Sequence, residues 1–202
     1  MEKKETEDGY KKLSSKGKKL VEMYITARQF KNAILEEEMI ILPAKQNNIK
    51  EGSIINWGGT KVTFRGEKSI TRIYPFIVNK SFACEVYLKL ILVELDFNFK
   101  TLRHYELHNI LKLYENTDDI FKRVFFKTFN NKYGEQANKE FLEKEITNIS
   151  DVFSKWRYIY EKINEENIVN SGFLNSFCDF LDRYVQKLIL FKYKYDVDKN
   201  MR

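Results

Sequence analysis

Pro75-Phe76-Ile77-Val78-Asn79-Lys80-Ser81-Phe82-Ala83-Cys84-Glu85-Val86-Tyr87-Leu88-Lys89-Leu90-Ile91-Leu92-Val93 is the stretch whose reading decides the fold. It is apolar nearly all round. That pattern predicts a helix packed on several sides rather than one laid on a surface. Proline suits a first helical turn, so the spacing predicts a central helix from Pro75 to about Leu95. The longest wholly apolar run within it, Leu90 to Val93, is far too short to span a bilayer.

Upstream, Leu20, Met23, Tyr24, Ala27, Phe30 and Ile34 recur at the one-face spacing of an amphipathic helix, which is expected from about Ser15 to Glu38. The apolar run Met39 to Leu42 follows, and Pro43 stops the helix. Residues 44–70 break the helical pattern and form an insertion. There Trp57-Gly58-Gly59-Thr60 has turn chemistry between the β-favouring Ile54-Ile55 and Val62-Thr63-Phe64, so an irregular loop or a small β-hairpin is expected near residues 50–65.

Downstream, a short link over 97–101 leads to a helix expected from about His104 to Glu115, with Leu107, Ile110, Leu111 and Tyr114 on its buried face. Asn116 or Thr117 can cap the next helix, Asp118 and Asp119 suit its positive end, and Gly134 can terminate it. Further helices are expected over about Gln136 to Thr147, from a Ser150 cap through Trp156 to about Asn164, and from Asn170 onward. The last has the cleanest periodicity, with Leu174, Phe177, Cys178, Leu181, Val185 and Leu188. Phe125, Phe126, Phe129, Phe177 and Phe180 read as core.

Only Pro43, Pro75 and eight glycines punctuate 202 residues, and strand-and-turn proteins need more. No low-complexity linker divides the elements. The expected fold is therefore all-α: one domain over 1–202, an up-and-down bundle of about six helices, with residues 1–14 frayed. No repeat suggests a solenoid. Two isolated cysteines, Cys84 and Cys178, do not make a secreted disulfide framework. The charged segment Met1 to Lys19 lacks the apolar core of a signal peptide, so the expected location is cytoplasmic, with no membrane contact. The net charge of +6 arises from 35 basic against 29 acidic residues, which permits a phosphate-bearing partner without requiring one.

Two stretches, 75–114 and 153–181, resemble the HEPN superfamily of small prokaryotic helical bundles. Phe82-Ala83-Cys84-Glu85-Val86-Tyr87-Leu88-Lys89 is similar to a recurrent helix of that superfamily, "FAxExxLK". His108-Asn109-Ile110-Leu111-Lys112-Leu113 is similar to its following "GHxLxxL" opening, with Leu107 in place of the glycine. The helix is accordingly expected to begin earlier than in relatives, around Arg103. Trp156-Arg157-Tyr158-Ile159-Tyr160-Glu161 and then Phe173-Leu174 resemble a "WRYxxE…FL" segment of one branch. The resemblance implies a HEPN-like bundle and a homodimer whose two motifs face each other. It further implies a metal-independent endoribonuclease or RNA-binding effector of the kind found in bacterial toxin and antiphage systems. A non-catalytic HEPN-like scaffold that binds another protein is the alternative.

HEPN nucleases carry an arginine with a histidine a few residues later, a pattern that Arg103 and His108 fit. A histidine can take a proton from an RNA 2′-hydroxyl or return one to the leaving oxygen. An arginine can hold the phosphate and stabilise its transition-state charge. No metal or other cofactor is needed. On a regular helix, however, five residues turn through about 500°, leaving the two side chains about 140° apart. They converge only at an irregular helix start or across two subunits; otherwise they serve as a capping histidine and a solvated arginine.

Glu85, alone on an apolar helix, needs a partner. It either orients Arg103 or His108, or pairs with Arg157 or a tyrosine hydroxyl in a core network. His104, four residues before His108, supports the site. Their spacing also suits a metal, with Glu85 as a conceivable third ligand, but no cysteine–histidine cluster accompanies them and no metal is expected. Arg157 is a phosphate-binding candidate that could equally stack on an aromatic ring or pair with Glu161. Trp57-Gly58-Gly59 lacks the lysine of a phosphate-cradling loop.

Overall fold

Ser14 sets the start of the first helix, its hydroxyl accepting from the Gly17 amide. In the computed structural model, which describes residues 9–33, 54–57, 60–63, 67–134, 138–150 and 169–200, this helix, α1, runs from Ser15 to Asn32. It buries Leu20, Tyr24 and Ala27 of the face that its spacing predicts, and Val21 beside them, while Met23 is half-buried and Phe30 exposed. Within the segment expected to be frayed, residues 9–14 are described and two of them pack inward. Tyr10 meets Tyr195 edge-on, and both Tyr10 and Leu13 lie against the core.

The expected hairpin is present. Strands β1 (Ile54–Trp57) and β2 (Thr60–Thr63) pair antiparallel, with Trp57 opposite Thr60. A third short strand, β3 (Val169–Asn170), adds to β1 in parallel, a long-range pairing with no local sequence signal.

Helix α2 runs from Glu67 to Glu94, so Pro75 lies in its interior rather than at its start. An interior proline forfeits one backbone hydrogen bond, roughly 3 kcal/mol. The neighbouring turns and burial from Phe76 onward, including Ile77, Ala83, Cys84, Tyr87, Leu88 and Leu90, carry the helix past it. Its end is a Schellman turn. The Phe97 amide donates to Leu92 O and the Asp96 amide to Val93 O, with Asp96 at φ 55° where glycine is usual. Lys16 holds that turn, donating to the Asp96 carboxylate at 2.6 Å and to the Glu94 carbonyl.

Downstream lie α3 (Ile110–Glu115), α4 (Asp119–Tyr133), α5 (Lys139–Ile149), α6 (Ser171–Tyr193) and the short α7 (Val197–Asn200). Helices α1, α2 and α6 pack on one another, and α3 lies against α2 and α5. Helix α4 joins through aromatic rings. Phe121, Phe125 and Phe129 form its buried face and meet Tyr114, Phe173, Phe177, Phe180 and Tyr184. The described residues thus build an all-α bundle around one shared apolar core. Among them, no helix is long and apolar enough to cross a membrane.

Several local expectations are corrected. The helix expected from His104 begins only at Ile110, because Asn109 caps it by accepting from the Lys112 amide. Asp118, not Asn116 or Thr117, caps α4. Asn138 caps α5, which therefore starts later than Gln136. Ser150 is the C-cap of α5, and its carbonyl accepts from the Ile110 amide, stitching the start of α3 to the end of α5. Phe126 is exposed while its neighbour Phe125 is buried, since consecutive helical residues face about 100° apart. The 35–53 and 151–168 expectations, including Pro43, Trp156 and Arg157, lie outside the described residues.

Candidate functional site

The Schellman turn at Asp96 reverses the chain, so the segment after α2 folds back along it. Glu85 lies nine residues before the helix end, roughly 14 Å along the axis. His108 returns to meet it from 23 residues further along the chain. The returning segment is irregular but well bonded. Asn98 caps a 3-10 turn over Phe99–Thr101. The Glu106 carboxylate accepts from the Arg103 amide at 2.7 Å, and Arg103 O accepts from the amides of Glu106 and Leu107. A second 3-10 turn spans Glu106–His108 and passes directly into the Asn109 cap. Arg103 and His108 are therefore at an irregular helix start, the arrangement that lets two such residues share a surface.

The Glu85 carboxylate, 1% exposed, accepts through Oε1 from Lys89 Nζ at 2.6 Å and faces His108 Nδ1 at 3.0 Å. The imidazole is 40% exposed. A carboxylate can only accept, so the bond holds the ring with hydrogen on Nδ1, and Nε2 is the nitrogen that can take up a proton. Glu85 Oε2 is buried with no hydrogen-bond partner among the described residues. The half-exposed imidazole is thus held by a buried carboxylate that Lys89 also bonds. Glu85 meets His108, as the orienting reading requires; among the described residues no tyrosine hydroxyl bonds it, and Arg157, Tyr158 and Tyr160 lie outside them.

His104 is exposed, and its ring lies 5.6 Å from that of His108, tilted by 59°. Among the described residues, no three histidine, cysteine, aspartate or glutamate side chains are grouped to hold a metal. The exposed Arg103 guanidinium turns to the Tyr105 hydroxyl, with Nη1 donating at 3.2 Å, and makes no hydrogen bond to the His108 ring within the chain. Lys112, on the first turn of α3, adds a further exposed cation. Its ammonium is held above the usual lysine value by the hydrogen bond it donates to Glu115 and by that residue's charge, with smaller contributions from Glu106 and Tyr105. The structure therefore sets Glu85 against His108 and His104 beside His108, while the Arg103 guanidinium is bonded to Tyr105 instead.

Lys89 and Tyr105 escape the sequence reading. Lys89 carried a signal, since Glu85 and Lys89 stand at the favourable i, i+4 spacing. Tyr105 carried none, because its position depends on the irregular backbone. No protein-family model matches the chain, and no curated protein or solved structure matches it either.

Proposed function

We propose that this chain is a HEPN-type, metal-independent endoribonuclease, of the kind used in bacterial toxin and antiphage systems. One observation carries the reading: a buried carboxylate holds Nδ1 of a half-exposed imidazole at 3.0 Å, beside a second imidazole, with an exposed arginine on the same irregular helix start. In that arrangement His108 Nε2 takes the proton of an RNA 2′-hydroxyl. The 2′-oxygen attacks the adjacent phosphorus, the bond to the 5′-oxygen breaks, and the products are a 2′,3′-cyclic phosphate and a 5′-hydroxyl. Glu85 steadies the imidazolium as it forms. His104 returns a proton to the leaving oxygen, and Arg103 neutralises the phosphate. A homodimer that sets two such surfaces face to face gives each phosphate a second guanidinium.

A second reading also has an observation in its favour. Lys89 already balances the Glu85 charge, and the Arg103 guanidinium is already engaged by Tyr105, so both have partners without a substrate. That suits a non-catalytic scaffold or regulatory subunit that binds another protein. A cleavage assay on mixed RNA in excess chelator, comparing wild type with His108→Ala and Arg103→Ala, decides between them. The nuclease reading expects wild-type cleavage and a loss of at least about 100-fold in His108→Ala, the scale of a lost general base. Equal behaviour of all three proteins leaves the scaffold.

A further inference from the structure

Tyr105 stands between the two ends of the site. Its side chain is 63% exposed, against near-complete burial for Tyr24 and Tyr87. A lone exposed tyrosine needs no explanation. This one, however, is fixed in place: its carbonyl accepts from the His108 amide, its hydroxyl accepts from Arg103 Nη1, and the backbone on either side is held by the Arg103–Glu106 bonds. No other aromatic ring packs against it among the described residues. The ring and the guanidinium thus present an aromatic face and a phosphate-binding group as one preorganised unit. His104 precedes Tyr105 in the chain and Lys112, paired with Glu115, interacts with that tyrosine electrostatically, while the Glu106 carboxylate accepts from the Arg103 amide.

Resting on the ribonuclease reading above, we propose that Tyr105 is a specificity-determining residue: its ring stacks on an unpaired purine next to the phosphate held by Arg103. A base inside a duplex is already stacked on both faces, so an aromatic platform can engage only a base that is splayed out. Stacking tolerates any base but strengthens with ring overlap, which favours the fused rings of adenine and guanine.

The test uses the full chain with His108→Ala, so that bound RNA stays intact, in chelator. Binding of fluorescein-labelled oligoadenylate, oligouridylate and a duplex of the two is followed by anisotropy, with Tyr105 present or changed to Ala or Trp. Circular dichroism verifies that these exposed substitutions leave the fold unaltered. The proposal expects oligoadenylate to bind more tightly than oligouridylate or the duplex. Tyr105→Ala should weaken oligoadenylate binding roughly tenfold and erase the base preference, and Tyr105→Trp should restore it. If RNA binds but Tyr105→Ala leaves the oligoadenylate affinity and the base preference unchanged, the stacking role is overturned while the ribonuclease reading stands. If no RNA binds and the wild type cleaves none, both are overturned together.

Discussion

The Glu85–His108 contact makes a quantitative demand that a double-mutant cycle can meet. Glu85→Leu removes a buried charge in favour of an apolar side chain of similar size, a replacement that is often close to neutral. Its partners Lys89 and His108 both reach solvent, with side chains 23% and 40% exposed, so water can take over their hydrogen bonds. The expected cost to folding is therefore within about 1 kcal/mol, despite the 1% exposure of the glutamate. His108→Ala in the wild-type background strips Glu85 of one of the two groups bonded to its Oε1 and should cost about 1–2 kcal/mol. In the Glu85→Leu background the same change should cost about 1 kcal/mol less, because the bond it removes is already gone. Urea denaturation of the four proteins at one pH yields that coupling directly. A coupling below about 0.3 kcal/mol, within the scatter of independent sites, would refute the claim that the carboxylate holds the ring.

Three further outcomes test the scaffold. Phe125→Ala should destabilise by about 3–5 kcal/mol in the same denaturation experiment, since the ring is fully buried and meets Tyr114, Phe121, Phe129, Phe177 and Phe180; Phe126→Ala, on the exposed side, should cost well under half as much. Gly17→Ala gains helix propensity of about 1 kcal/mol, yet a Cβ there meets Tyr193 Cδ1 at 2.9 Å, and the ring is pinned by its hydroxyl bond to Glu94. The variant should therefore be no more stable than wild type, and a higher melting temperature would contradict the contact. Glu145 is buried, its Oε2 without a hydrogen-bond partner among the described residues, and desolvation raises its carboxyl above the usual value, an effect opposed by a hydrogen bond from Asn170. Its favourable contribution is present at low pH and is lost as pH rises through the raised folded value. Glu145→Gln should accordingly be more stable than wild type at pH 7, with the gain vanishing as pH falls below the ordinary glutamate range.

Periodicity made the bundle legible. The burial of Leu174, Phe177, Cys178, Leu181 and Val185 on α6, the Asn170 cap and the Gly134 stop at φ 70° all follow from local chemistry. The hairpin followed from turn residues between β-favouring pairs. What escaped depended on competition between local signals. Pro75 reads as a start because a proline favours first turns, but a long buried helix tolerates it inside. Ser150 reads as an N-cap because serine favours that position, whereas its carbonyl closes a tertiary bond to Ile110 that no local pattern announces. At the site, the need for a partner to Glu85 was legible from its apolar surroundings. His108 was one of several partners the sequence offered, and the choice among them was not legible, because the segment between turns through a Schellman motif built on an aspartate and two 3-10 turns. Tyr105 was hidden for the same reason.

Cleavage of a short RNA in excess chelator, beside the same strand with a single 2′-deoxy residue at the cut position, probes the central claim most directly. If the His108 imidazole activates a 2′-hydroxyl, the all-ribose strand is cut to a 2′,3′-cyclic phosphate, the deoxy strand is spared at that position, and His108→Ala cuts neither. Equal cutting of both strands, or undiminished cutting by His108→Ala, would contradict the account.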